Sequence, residues 1–380
     1  MPYWRLSTFY FAYFAFLGGV APFLALYFDH LGFSAARIGE LIAIPMLMRC
    51  IAPSLWGWLG DTSGQRLAIV RLGAALTALT FCGIFYRQDY LWLALIMALH
   101  SFFWHAVLPQ FEAITLSHLG AQSARYSLIR LWGSVGFIAT VVGLGWVLEQ
   151  QGLDSYPAVM LAILLGIVIC SLLVQSPAAQ TPAQRQGGAG AFFAQLRRPG
   201  VLAFFCSAGL MQLSHGPYYT FLSLHLEALG YSRSLIGSMW ALGVVAEIGL
   251  FVVMTKVLRR FTLKQLLLAS LLLASLRWLL LGTMAGHLPV LLLAQLLHAA
   301  TFGSFHVAAI HYVQRSFSDA LQGQGQAFYA SLSGVGGALG ALYSGYSWNS
   351  LGAVWTFSIA ALVSLFAALL LARALPGASR

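Results

Sequence analysis

WGWLGDTSGQR, residues 56–66, is a short polar interruption between two long apolar runs, and its reading decides how the rest of the chain is understood. Each flanking run holds about 20 apolar residues, enough to cross a hydrocarbon core of ~30 Å as a helix. From Gly57 to Arg66 the loop reads G-x-x-x-D-x-x-G-x-R. Gly57 would let neighbouring helices approach, and Asp61 can accept hydrogen bonds from helix amides. Gly64 would turn the chain before the cation of Arg66. So tight a loop between two spans implies a polytopic, all-α membrane protein.

The composition agrees. The 380 residues are 60% hydrophobic and 8% charged, against roughly 25% charged in soluble domains. Breaking the apolar runs at Gly, Pro and charge clusters gives twelve spans, at 8–28, 38–60, 67–86, 90–117, 127–149, 156–174, 201–227, 234–257, 264–284, 289–314, 325–347 and 352–375. The stretch before residue 29 is too long for a signal h-region and has no small-residue cleavage site, so an uncleaved first span is expected. Cys50, Cys82, Cys170 and Cys206 fall inside apolar runs without metal-ligand spacing and read as packing residues. The net charge of +10 is not gathered into the basic, aromatic-interleaved blocks of a nucleic-acid binder, and no nucleic acid is expected.

Placement explains the charge. An even number of spans puts both termini on one side. Arg5, Arg66, Arg71, Arg125, Arg185, Arg197, Arg198, Lys256, Arg259, Arg260, Lys264, Arg315, Arg373 and Arg380 then share that side, with Arg37, Arg87 and Arg233 opposite. Fourteen against three makes it cytoplasmic, in an inner (plasma) membrane. The long polar connector QSPAAQTPAQRQGGAGAFFAQLRRPG reads as a flexible cytoplasmic linker. It divides the chain into bundles at 1–175 and 201–380, with the linker at 176–200.

The halves repeat weakly. YFDHLGFSAARIG (27–39) resembles HLEALGYSRSLIG (225–237) at an offset of 198, and two later pairs of glycine-containing segments align near 200. At the first offset Arg49 falls opposite Glu247, one intramembrane charge per half. Intramembrane ionisable residues are costly and mark functional sites.

Four further constellations carry possible chemistry. Glu112 in span four and Arg130 in span five lie near facing ends of antiparallel helices and can meet at one depth, as a structural salt bridge or as a ligand pair with Phe111, Trp132 and Phe137 as aromatic company. Glu247, Arg277 and His298 occupy spans eight, nine and ten, pointing to a proton or substrate site, although a lone histidine is commonly a packing residue. HGPYY in span seven adds His215, Tyr218 and Tyr219 at a Gly-Pro break that either opens the helix or simply kinks it. GVGGALGALYSG (334–345) holds a G-x-x-x-G at Gly336 and Gly340 and reads as helix packing.

The loop at Gly57, Asp61, Gly64 and Arg66 resembles the signature loop of the major facilitator superfamily, except that Thr62 stands where a basic residue is usual. PQFEA, RLWGSVGF, HGPYY, WALGVVAE and LHAATF resemble the phenylpropionate permease branch of that superfamily and, more distantly, the lactose permease group of proton symporters. The resemblance implies that Glu112 and Arg130 clasp substrate, Glu247 and Arg277 belong to substrate and proton steps, and His298 matches a tenth-span histidine. Gln295 and Thr301 depart from the symporter pattern, which has lysine and a proton-carrying glutamate there.

The expectation is a major facilitator fold: all-α, twelve transmembrane helices in two pseudo-symmetric six-helix bundles around a midplane cavity. Alternating access in the lipid bilayer and a monomeric state are expected. The function expected is proton-coupled symport of a small organic, aromatic carboxylic acid, with protons as coupling ion and no cofactor or metal. Arg49, Arg130 and Arg277 outnumber Glu112 and Glu247 by one, so an anionic ligand is a natural counter-ion. Binding residues would be Glu112, Arg130, Arg49, Trp132, Phe137, His215, Tyr218, Tyr219 and Trp240. Proton coupling would fall to Glu247, Arg277 and His298, and gating to Gly57, Asp61, Gly64 and Arg66. A sugar or nucleoside permease is the alternative. An enzyme lacks a nucleophile with its base on an aqueous rim, and a receptor lacks an output domain.

Overall fold

The computed structural model describes residues 2–176 and 189–375, so Arg185 and Arg380 of the charge count and most of the polar connector lie outside the described residues. Among the described residues every regular element is helical. In order they are α1 (Tyr3–His30), α2 (Ala35–Ser63), α3 (Arg66–Phe81), α4 (Tyr90–Leu119), α5 (Tyr126–Gln151), α6 (Tyr156–Leu173) and α7 (Ala189–Leu196). After these come α8 (Pro199–Ser214), α9 (Gly216–Ala228), α10 (Arg233–Arg260), α11 (Leu263–Met284), α12 (Leu288–His298), α13 (Ser304–Ser316) and α14 (Asp319–Ala374).

These elements form twelve membrane spans. A π turn, Ala299–Gly303, joins α12 and α13 into one span, and helices over ten segments have the length and apolar character to cross a bilayer. One of those, α14, has 56 residues and would be far too long for a single crossing at 1.5 Å per residue. It breaks at Gly352, whose φ of 81° and ψ of 178° are not helical, so it crosses twice. The last crossing is shared by α8 and α9, separated only by His215. Pro217, in the first turn of α9, lacks the amide that would continue α8's hydrogen bonds. Prolines 22, 45, 53 and 109 sit inside α1, α2 and α4, where neighbouring helices in a membrane protein can satisfy the freed carbonyls.

The helices gather into two compact units. One comprises α1 to α6 with residues 230–241; the other comprises α7 to α9 with the residues from 242 onward. The first turns of α10 thus belong with the first unit, where the Arg233 amide donates to Glu149 at 2.6 Å. In the first unit α1 is the most enclosed helix, and it meets α5 almost backbone to backbone. A Cβ on Gly136 would lie 2.8 Å from the carbonyl carbon of Phe11, so only glycine permits this approach. In the second unit α14 packs along α8, α9 and α11. A Cβ on Gly216 would stand 2.6 Å from the Cα of Gly340, and one on Gly336 would lie 3.3 Å from the carbonyl carbon of Gly209, so both glycines of the G-x-x-x-G sit at close helix contacts.

Part of the connector differs from the flexible linker expected at 176–200. Residues 189–196 form α7, held to the second unit by stacking of Phe192 on Phe317 at 5.5 Å and by the Gln195 amide, which donates to the Ser316 carbonyl. Burial of one aromatic ring stabilises a segment whose surrounding composition is that of a linker.

Candidate functional site

The signature loop is built around Asp61. α2 runs to Ser63 and is stopped by Gly64, whose φ of 68° is left-handed and whose amide donates to the Gly60 carbonyl at 3.1 Å. Asp61 accepts from Arg66 Nη2 at 2.5 Å, Arg66 Nη1 donates to Gln110 Oε1 at 2.8 Å, and Gln110 Nε2 donates to the Trp56 carbonyl at 3.1 Å. The loop is therefore tied to α4 two residues before Glu112. Close approach falls to Gly60, where a Cβ would meet Gln110 at 2.9 Å, whereas a Cβ on Gly57 would meet nothing within 4 Å. The Gly57 expectation is corrected in that respect. Thr62, in place of the usual cation, donates to the Trp58 carbonyl at 2.9 Å.

In the first unit, Glu112 and Arg130 share a neighbourhood without forming an ion pair among the described residues. Glu112 accepts from the Tyr126 hydroxyl at 3.2 Å. The Arg130 guanidinium lies over the Phe14 ring, 3.8 Å from its centroid, and 5.7 Å from that of Tyr10. Gly133 keeps that place open: a Cβ there would come within 2.7 Å of both Phe14 Cδ2 and Arg130 Nη1. Tyr10 donates to Thr115 at 3.3 Å, and Tyr13 stacks on Trp104 at 3.9 Å. Arg49 is exposed on α2 within electrostatic reach of Tyr13 and His105. Among the described residues the guanidiniums of Arg49 and Arg130 make no hydrogen bond.

In the second unit, Arg277 is wholly buried. Its Nε donates to the Ala294 carbonyl at 2.7 Å, Nη1 to His298 Nδ1 at 3.2 Å and Thr301 Oγ1 at 3.4 Å, and Nη2 to Gln295 Oε1 at 3.2 Å. The bond to Nδ1 places the His298 proton on Nε2. Tyr218 faces the guanidinium at 4.2 Å, stacks on His298 at 5.4 Å and donates to Gln295 at 3.2 Å. Glu247 lies against the π turn, its Oε1 being 3.2 Å from where a Cβ of Gly303 would stand. His215 bonds the Met211 carbonyl through Nδ1 at 2.8 Å, and its buried Nε2 has no protein partner.

The sequence profile of the MFS_1-like family matches residues 3–359. The chain belongs to the MFS_1-like family. It is 28% identical over 371 residues to a probable 3-phenylpropionic acid transporter of Escherichia coli (strain K12), covering 95% of this chain and 96% of that one. It is also 28% identical over 380 residues to a maltose permease of Geobacillus stearothermophilus, covering 96% and 93%. The crystal structure of the nucleoside transporter NupG superposes over 100% of both chains with a TM-score of 0.83 at 20% identity, which shows a common fold. This MFS_1-like protein is a multi-pass secondary transporter of the major facilitator type, and its relatives are transporters rather than enzymes.

Of the remaining candidates, Tyr219 lies with His215 at 5.9 Å and Tyr218 at 5.2 Å. Trp132 donates to the Tyr3 hydroxyl at 3.0 Å and packs edge-on to Trp4 at 5.5 Å, which ties it to the start of α1. Phe137 lies where α5 touches α1, its Cα 3.2 Å from a Cβ position on Gly18. Tyr219 stands 6.1 Å from Phe302, and Trp240 is buried on α10. Reasoning from sequence missed Phe14, Tyr10 and Tyr126 around the Arg130 and Glu112 side chains. The spacing of Tyr10 and Phe14 in FYFAYFAF, four residues apart on one helical face, was the available signal.

Proposed function

We propose that this transporter carries a small aromatic carboxylic acid, coupled to protons, by alternating access across an inner membrane with both termini cytoplasmic. The observation that carries the acid is that Arg49, Arg130 and Arg277 form no ion pair with a carboxylate among the described residues. An unpaired cation at membrane depth is expensive, and a ligand carboxylate lowers that cost. Arg130 lies flat on Phe14 with its donors unused, which suits two parallel N–H to O bonds to a carboxylate beside an aromatic surface. The name of the Escherichia coli relative supports the same ligand class.

In this reading Glu112, Arg130, Arg49, Trp132, Phe137, His215, Tyr218, Tyr219 and Trp240 are the substrate-binding residues. Glu247 carries the proton, with His298 as competing carrier and Arg277 as the charge bonded to His298. Asp61, Arg66, Gly64 and Gly57 form the gate, and the protein acts as a monomer without cofactor. A sugar is the second reading, favoured by the maltose permease at equal identity and by the stacked platform of Tyr13 and Trp104.

Uptake into proteoliposomes decides between them. Labelled 3-phenylpropionate should accumulate when the outside is acid, and maltose or uridine should not compete. Accumulation of maltose in place of the acid, or uptake of neither acid nor sugar under any pH gradient, would remove the proposal.

A further inference from the structure

Span ten contains the π turn between α12 and α13, in which the Ser304 amide reaches back to the Ala299 carbonyl, five residues away. Such a turn stores one residue more than an α-helix needs and occurs frequently at functional sites. Its consequence here is a matter of register. In an uninterrupted α-helix at 3.6 residues per turn, the residue seven positions on returns to the same face. From His298 that residue is Phe305. With the extra residue stored, position eight returns instead, which is His306. The rings agree: His298 and Phe302 lie 5.4 Å apart with planes 6° from parallel, and Phe302 and His306 lie 6.4 Å apart at 4°. Phe302 and His306 are half-buried, while Phe305 is 4% exposed in the core.

One side chain brackets the turn. Arg277 holds Ala294, Gln295 and His298 before it and Thr301 within it. Thr301 also donates to the His298 carbonyl at 3.2 Å, spanning the point where the helical ladder is interrupted. We propose that Arg277 is a positioning residue for span ten. It holds the π register and thereby decides that His306, and not Phe305, stands in line with His298 and Phe302. When the clamp opens and the stored residue is taken up, α13 turns by about 100°, the angle of one residue. Phe305 then takes the half-buried place of His306, whose Nδ1 lies 3.3 Å from the Tyr329 hydroxyl. This two-register device concerns the mechanics of the span and holds whatever the transported substrate is.

Cysteine accessibility tests it in the full-length protein in proteoliposomes. In a background with Cys50, Cys82, Cys170 and Cys206 replaced by serine, Phe305→Cys and His306→Cys are labelled separately with N-ethylmaleimide. The intact clamp should give fast labelling at 306 and slow labelling at 305. Adding Thr301→Val, which keeps the shape and removes the hydroxyl, should move the ratio of the two rates toward 305 by about tenfold, the effect of losing one hydrogen bond to a charged group. Arg277→Lys should act in the same direction. Thr301→Ser, which keeps the hydroxyl, should restore the original ratio, a rescue that a general loss of packing does not predict. An unchanged ratio in both Thr301→Val and Arg277→Lys would overturn the proposal, as would a shift in Thr301→Ser equal to that in Thr301→Val.

Discussion

Replacing Arg130 by lysine keeps the charge and removes what the geometry supplies. The guanidinium lies 3.8 Å above the Phe14 centroid, and none of its donors is bonded to a described residue, so a ligand carboxylate can accept two parallel bonds from it. A lysine ammonium is a point donor that cannot offer the planar fork. Loss of one charged hydrogen bond costs about 1.5–3 kcal/mol, and loss of the contact with the ring about 0.5–1 kcal/mol. Together these give about 2–4 kcal/mol, or a fall in affinity of roughly 30-fold to 1000-fold at 1.4 kcal/mol per decade. Equilibrium binding of labelled 3-phenylpropionate to purified protein in detergent measures it, with uptake as the functional readout. Phe14→Leu isolates the ring and should cost only about 2-fold to 5-fold. Binding by Arg130→Lys within about threefold of the unmodified protein, less than one charged hydrogen bond is worth, would refute the clamp and leave Arg130 a structural residue of α5.

Asp61→Asn weakens the bond to Arg66 and through it the link to Gln110; counterflow should slow severalfold while substrate affinity holds, and equal losses in both would count against a gate. Because the pair is more than a third exposed, its loss should change stability by less than about 1 kcal/mol in thermal unfolding. Glu247→Gln, which imitates the protonated acid, should abolish accumulation driven by external acid and leave counterflow; continued uphill accumulation would place the proton elsewhere. Gly136→Ala puts a methyl group against the Phe11 backbone and should destabilise by at least about 1–3 kcal/mol, the usual cost of overpacking, read as a fall in detergent Tm; an unchanged Tm would show that α1 and α5 are not locked there.

Much of this architecture is visible in the sequence, because hydrophobic length is a property of each segment by itself. The twelve spans and the double crossing separated at Gly352 follow from apolar runs and a glycine, with no tertiary information needed. Paired locations are harder to read. Gly57 and Gly60 both fit a helix-contact role by spacing, and only the position of Gln110 on α4 separates them. Trp132 looks like a ligand platform beside Arg130, but residues two apart on a helix point about 160° from each other, and its indole donates to the Tyr3 hydroxyl. Residues 189–196 read as linker because their docking partners, Phe317 and Phe328, lie more than a hundred positions away in the chain.

The two departures from the symporter pattern, Gln295 and Thr301, are both direct partners of Arg277. Where a lysine and a carboxylate would bring opposite charges, this chain places an amide and a hydroxyl, so the guanidinium is held by neutral acceptors. A cation held in this way cannot be switched by protonating its own partners except at His298, and a proton arriving on Nδ1 would take the lone pair that Arg277 uses. Glu247 lies on the other side of the same turn, against Gly303. A carboxylate there and a guanidinium at Thr301 address one π turn from two directions, two residues apart. Neutralising Glu247 changes the field across the turn while leaving every bond of Arg277 intact, whereas protonating His298 must break one of them. The two candidate carriers therefore predict different behaviour at positions 305 and 306. Glu247→Gln should leave the labelling ratio near its original value if the turn answers to the arginine, and acidification should shift it only if His298 takes the proton.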